Sequence, residues 1–531
     1  MKKTVYLIMT VCLLGFAACN EFLEEKPLSD ISKDEFFGSQ QDAYSAINVM
    51  YRKGVMSLMN SGSFVGSSYM YSTGFRSGLI DNPSGRGNNP FIAKMQTMSL
   101  DPVTDGTYIQ NLWSGPFETV VRNANFALEN LPDCPGLTDS ERRQLIGEAN
   151  FFRALNYLYL VQTFGSVPLI LKTYYSLDDI YVQRSSERLI YQQILKDLEV
   201  ALNAGLPDRP MPANGFRISR GSVLALAADA CLNMAGYPVQ DQSKYADAAR
   251  YAKELIDNPN YALIQHAADM SNPANRDRSA YNTLRTSDNE KEHLFVLEYD
   301  PVIANAGEKP TWCLPFDASA WGFKYQVYIN AWNPSPILHA VYDPVNDLRY
   351  QEKQYFHSSY TTPDGIEHKF EKIAYFWWED AALLETARAE KDLTVYRLAE
   401  MYLIAAEALV RAGGTVTDEA ASYLATIKAR ASLDRSFYEI KSELLTLSPD
   451  AFVDEVLKEK IRELLFEFKL WNDIARTRKY PALDGAGHFT FVPLIGATNP
   501  WGATYTENNL YFPYTDQVRQ RNPLIDEPPL E

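Results

Sequence analysis

The chain has 531 residues, 46% of them hydrophobic and 22% charged. That is ordinary globular usage, enough for a sizeable buried core, and it excludes disordered and fibrous classes. The net charge is −17 with no block of Lys or Arg, which disfavours nucleic acid and acidic lipid surfaces as partners.

Lys2 and Lys3 precede an apolar run from Val5 to Phe16, followed by Ala17, Ala18 and Cys19. A charged start, a short apolar stretch and a small-residue cleavage site define a signal peptide over residues 1–18, too short to span a bilayer. A Cys directly after Ala-Ala resembles a bacterial lipobox, in which Cys19 carries the lipid; a plain secretory signal with an incidental Cys is the alternative. No later stretch reaches ~18 uninterrupted apolar residues, so the mature protein is expected to hang from a membrane by lipid alone. Residues 19–40 read as the lipidated tether, acidic at its start. Cys134, Cys231 and Cys313 have no close spacing, so neither a disulfide framework nor a CxxC metal or redox site is expected.

Residues 41–260 read as a helical region. Asn111–Leu131 is predicted helical. Thr138-Asp139-Ser140-Glu141 has capping-box spacing, so a helix should start there and run to Phe164, with Gly165 as its stop, a rod of about 39 Å. Ser186–Ala204, Gly221–Ala235 and Tyr245–Asp257 follow. In 393–531, helices are predicted over Val395–Ala412, Asp418–Ala431 and Ala451–Arg478. Val395, Leu398, Tyr402, Ala405 and Leu409 form an apolar stripe, with Arg397, Glu400, Glu407 and Arg411 elsewhere and Glu407–Arg411 as an i,i+4 pair. Helix pairs recurring at about 34 residues match the period of a tetratricopeptide repeat. Between them, 261–392 loses the helical period and reads as an irregular, aromatic-rich insert; long loops inside compact domains usually carry function.

Five fragments in order resemble one family. They are CNEFLEEKPLSDISKDEFF, LWSGPFETVVRNANFALENL, GEANFFRALNYLYLVQTFGSVPLI, VYRLAEMYLIAAEALVRAGG and LYFPYTDQVRQRNP. They are similar to the SusD/RagB outer-membrane nutrient-binding lipoproteins of Bacteroidetes. EKIRELLFEFKLWNDIAR departs from the usual pattern at Lys460, Phe468 and Leu470. The resemblance implies an all-α-dominated fold of tetratricopeptide-like helix pairs, little β structure and a loop-built ligand face. It also implies location at the outer membrane facing the exterior, and a SusC-like TonB-dependent transporter as partner, to which a captured oligomer, a glycan above all, is delivered.

Catalytic signatures are sparse: GxSxG, HExxH and P-loop patterns are absent, and neither a catalytic residue, a metal site nor a cofactor is expected. Glu459, Glu463 and Glu467 stand at i,i+4,i+8; a carboxylate pair for glycoside hydrolysis competes there with a salt-bridged face involving Lys460, Arg462 and Arg476. Glu379-Asp380 after Trp377-Trp378 reads as an acidic first helical turn, or as acids beside a sugar platform. Of the eight tryptophans, five (Trp312, Trp321, Trp332, Trp377 and Trp378) fall in the insert. Flat rings pack on pyranose C–H faces while amides bond the hydroxyls, so Trp312, Trp321, Tyr325, Tyr328, Trp332 and Asn333 are the candidate ligand contacts, against the alternative that these rings are core. The resemblance places the Gly/Ser-rich N-terminal loop beside the same face, which adds Tyr71 and Phe75. A peptide-binding branch of the family, a helical glycoside hydrolase and a helical-repeat scaffold are the rival readings.

Overall fold

A computed structural model describes residues 37–59, 73–81, 90–174, 180–299, 320–323, 333–375, 390–467 and 469–531. The helices begin where short polar side chains cap them. Ser39 accepts from the Asp42 amide and opens α1 (Gln40–Asn48). α2 (Gly106–Trp113) passes into a π-helical stretch over Ser114–Val121 and then α3 (Arg122–Asn130). The single helix expected here is therefore widened in its middle. Pro116 lies in the widened turn and has no N–H with which to continue an ordinary ladder.

α4 (Asp139–Phe164) carries the expected capping box: Thr138 accepts from the Glu141 amide and the Glu141 carboxylate from the Thr138 amide. It ends at Gly165, whose φ of 73° favours a residue without a Cβ. α5 (Glu187–Leu202), α6 (Arg220–Ala235) and α7 (Lys244–Ile256) follow close to their predicted bounds. α4 packs on α5, α5 on α6 and α6 on α7. The approach is tight: a Cβ added to Gly147 on α4 would stand 2.4 Å from Ala204 Cβ just past α5.

After α7 the chain leaves this layer for a long excursion. It contains β1 (His293–Leu297), β2 (Phe356–Thr361) and β3 (Glu367–Ala374), and closes with β4 (Leu393–Arg397). β4 pairs antiparallel with β1, bringing Arg397 opposite His293. α8 (Leu398–Gly413) then packs directly on α7, with α9 (Asp418–Ala431) and α10 (Pro449–Glu463) on its other side. The excursion is thus inserted between neighbouring helices of one layer and stapled where it leaves and returns. Strand is confined, among the described residues, to five two-stranded antiparallel ladders. The fold is all-α dominated, a layer of tetratricopeptide-like helix pairs interrupted by a loop-rich insert.

Two predicted helices change shape. Val395–Ala412 begins as strand, because every side chain of Leu393–Arg397 is buried and the ladder with β1 supplies its hydrogen bonds; the tertiary pairing overrides the helical period. Arg397, Glu400 and Glu407, expected outside the apolar stripe, are buried. Glu407 pairs with Arg476 at 2.6 Å and Arg411 with Asp450 at 2.9 Å, which replaces the expected Glu407–Arg411 pair. Ala451–Arg478 is split into α10 and α11 (Leu470–Thr477). Leu464, Leu465 and Phe466 are all buried, and three consecutive apolar side chains cannot share one face of a helix; the chain turns there instead. The final short helix is α12 (Asp516–Arg521). Cys134 and Cys231 are buried free thiols.

Candidate ligand platform and the ionic core beneath it

β2 and β3 form a hairpin around Thr362-Pro363-Asp364-Gly365. Thr362 Oγ1 donates to Asp364 Oδ1 at 2.5 Å, the Gly365 amide to Thr362 O at 2.9 Å, and Gly365 has a φ of 86°. Pro at the second position and Gly at the fourth are what such a turn requires. Along β3, Glu367, Lys369 and Glu371 are exposed while His368, Phe370 and Lys372 are half-buried, the two-residue alternation of a strand covered on one face.

Trp321 lies flat on that covered face. Its ring centroid is 4.3 Å from His368 at 14°, 5.9 Å from Tyr360 at 9° and 5.9 Å from Phe370 at 25°. Phe323, buried, sits 5.5 Å from Tyr360. Stacked aromatic pairs each contribute about 0.5–1.5 kcal/mol beyond their buried area, so the indole is held in a fixed plane while remaining half-buried. Asn333 pairs with Asp81 in a short ladder whose strand packs against β3. Its Oδ1 is shielded and has no hydrogen-bond partner among the described residues. A flat ring held in one plane and half-buried suits a ligand having an apolar face.

Below this region lies a buried ionic cluster that joins excursion to helices. Glu463 is 0% exposed. Its Oε1 accepts from Arg397 at 2.7 Å and Arg430 at 2.6 Å, and its Oε2 from Arg349 at 2.8 Å. Arg349 also binds Asp347 and Glu459, and Arg397 binds Glu292 and Glu467. Burial alone would raise the Glu463 pKa, but the three guanidiniums outweigh it and hold the carboxyl well below the usual range. A carboxylate so held has no proton to give and no path to a substrate. The face expected at Glu459, Glu463 and Glu467 is ion-paired, with a correction to its partners. Lys460 and Arg476 serve Asp473 and Glu407 instead, whereas Arg349, Arg397 and Arg430 come from distant sequence.

The structure brings Trp321 and Asn333 to the hairpin side of the excursion. It corrects Phe75, which is 0% exposed and packs within the main core, so it is not a ligand-facing ring. Cys19, Tyr71, Trp312, Tyr325, Tyr328 and Trp332 lie outside the described residues, as do Trp377, Trp378, Glu379, Asp380 and Phe468. His368, Tyr360 and Phe370 were not anticipated. Their signal was a T-P-D-G turn between two alternating runs, the mark of a hairpin. Among the described residues no group of His, Cys, Asp or Glu is placed to hold a metal ion, and no helix is long and apolar enough to cross a membrane.

A layer of helix pairs interrupted by an inserted excursion is a scaffold shared with known proteins. Residues 347–529 match the SusD family, and residues 21–232 match a related family described as starch-binding and associating with outer membrane. SusD-like protein P2 of Formosa agariphila is 24% identical over 507 residues, covering 90% of each chain. A SusD-like protein of Bacteroides ovatus is 22% identical and covers 100% of this chain and 98% of its own. Among solved structures, a SusD superfamily protein from Parabacteroides distasonis aligns with a TM-score of 0.77 at 26% identity, over 92% of this chain and 98% of that one. Surface glycan-binding protein A of Bacteroides thetaiotaomicron, in complex with laminarihexaose, aligns with a TM-score of 0.66 at 16% identity, over 91% and 97%. The chain belongs to the SusD/RagB family.

Proposed function

We propose that this protein is a non-catalytic nutrient-binding lipoprotein of the outer membrane. Anchored through Cys19 and facing the exterior, it captures an oligosaccharide on the Trp321 platform and delivers it to a SusC-like TonB-dependent transporter. The observation that carries the reading is the half-buried Trp321 ring stacked 4.3 Å from His368. A sugar ring docks on such a face through its C–H groups, with amides such as Asn333 bonding its hydroxyls. Family membership supports it, as does the surface glycan-binding relative carrying laminarihexaose. The energy for uptake would come from the transporter, so the chain requires no cofactor of its own.

The test is Trp321→Ala, with affinity for laminarihexaose and other hexasaccharides measured beside the melting temperature. Losing an aromatic anchor commonly costs over ~2 kcal/mol of binding, roughly thirtyfold in Kd. Lost affinity with retained folding supports the platform. Normal binding by a protein that melts early makes Trp321 a packing ring and sinks the assignment.

A further inference from the structure

A cavity of about 240 Å³ lies where the helix Pro90–Gln96 and the turn after it meet the segment 508–513. It shares no residue with the Trp321 platform. At about 30 Å³ per water-sized group, it has room for roughly eight non-hydrogen atoms. Met95, Met98, Leu100, Pro102, Phe512 and Pro513 give it apolar walls.

Arg76 also lines this cavity, and it is only 3% exposed. Its guanidinium lies over two rings, 4.3 Å from the Trp471 centroid and 4.6 Å from that of Phe512. Nη2 donates to Asn509 O at 2.9 Å and to Leu510 O at 2.6 Å. Nε and Nη1 make no hydrogen bond among the described residues. Burial pushes the Arg76 pKa down to about 9, and the groups that oppose this are Tyr505, Tyr511 and Tyr159, with no carboxylate among them.

A buried charge is ordinarily paired, and Arg349, Arg397 and Arg430 each hold carboxylates in the ionic core. Arg76 has none. The acids next to its cavity are committed elsewhere: Asp101 accepts from the Val103 and Thr104 amides, Asp105 from Lys94, and Glu507 from Arg478. Residues 60–72 and 82–89, which flank the Arg76 segment in sequence, contain neither Asp nor Glu. In a chain of net charge −17, a buried cation left with unused donors beside an apolar hollow selects for an anion with an apolar body.

We propose that this cavity binds a short aliphatic monocarboxylate, its carboxylate bonded by Arg76 and its chain packed against Met95, Leu100 and Phe512. The recognition is independent of the oligosaccharide platform.

Butyrate, small enough for this volume, is the probe, and butyramide is its neutral control. Titration calorimetry on the full mature protein should give binding of the acid that saturates by about 5 mM. The amide should bind about tenfold more weakly or worse, because it gives up a hydrogen bond between charged groups. Arg76→Gln should abolish the difference between acid and amide. Arg76 also holds the Asn509 and Leu510 carbonyls, so that variant should melt earlier as well, and Leu100→Trp supplies an independent arm. Leu100 is half-buried, and a larger ring there fills the cavity with Arg76 intact. Leu100→Trp should weaken butyrate about tenfold or more and leave laminarihexaose binding unaltered. No saturation by about 5 mM, equal binding of acid and amide, or wild-type butyrate affinity in either variant would each overturn the proposal.

Discussion

Replacing Glu463 with Gln tests whether the buried ionic cluster holds the excursion to the helices. The substitution keeps shape but removes the charge that three arginines share. It also turns an N–H donor toward at least one guanidinium that now donates to an oxygen 2.6–2.8 Å away. Breaking a buried ion pair by removing one partner costs about 3–5 kcal/mol. With an unfolding entropy of about 2.1 cal/mol/K per residue, a chain of this length loses roughly 3–5 °C of melting temperature if it melts as one unit. Arg411→Ala is the contrast, because its partner Asp450 is 80% exposed and surface pairs contribute at most about 1 kcal/mol. The pH dependence has a definite sign. Glu463 has a folded pKa below its unfolded value of 4.5, so its contribution is complete above pH 4.5 and is lost as pH falls below it. The gap between wild type and variant, read from urea unfolding, should stay constant from pH 8 to 5 and narrow under more acid conditions. A melting temperature within about 1 °C of wild type would refute the reasoning, as would weaker oligosaccharide binding at unchanged stability.

His293 is fully buried, and burial reinforced by Lys391 pushes its pKa down to about 3. The unfolded chain therefore takes up a proton that the folded one refuses, costing about 2 kcal/mol at pH 5; His293→Gln should lose that much less stability between pH 7 and 5, and parallel acid profiles would disprove it. Gly147→Ala gains helix propensity but drives a methyl against Ala204, so a net loss of about 1–2 kcal/mol is expected, and a rise in the denaturation midpoint would show that the helices separate freely. Cys19→Ala should release folded protein from the membrane fraction of cells lacking the transporter, whereas retention there argues against lipid as the anchor.

Local signals were legible in the amino-acid sequence where a helix is specified by its own residues. The Thr138–Glu141 capping box starts α4, and α9 runs over Asp418–Ala431 as its pattern indicates. What escaped depends on partners far along the chain. The charges on Arg397 and Glu463 look solvent-facing in isolation, and only the fold reveals that each neutralises the other. β4 resembles the first turn of α8 until β1 is laid beside it. Trp321 was a legible candidate because tryptophans concentrate in the insert, but its backing by His368 and Tyr360 follows from the hairpin. Phe75 was misplaced for the converse reason: an aromatic in a Gly/Ser-rich stretch carries no mark of whether it points to solvent or to the core.

Among the ties that hold the excursion between α7 and α8 to the helices are the β1–β4 ladder and Arg349 against Glu459 and Glu463. These ties divide it into two loops with fixed bases, one bearing Trp321 and the other the hairpin beneath it. Once the ends of a loop are fixed, doubling its length costs only about 0.6 kcal/mol of closure entropy. Either loop is therefore free to grow, shrink or change sequence while the helical layer keeps its register. A ligand face carried in this way can change without refolding the helices that carry it.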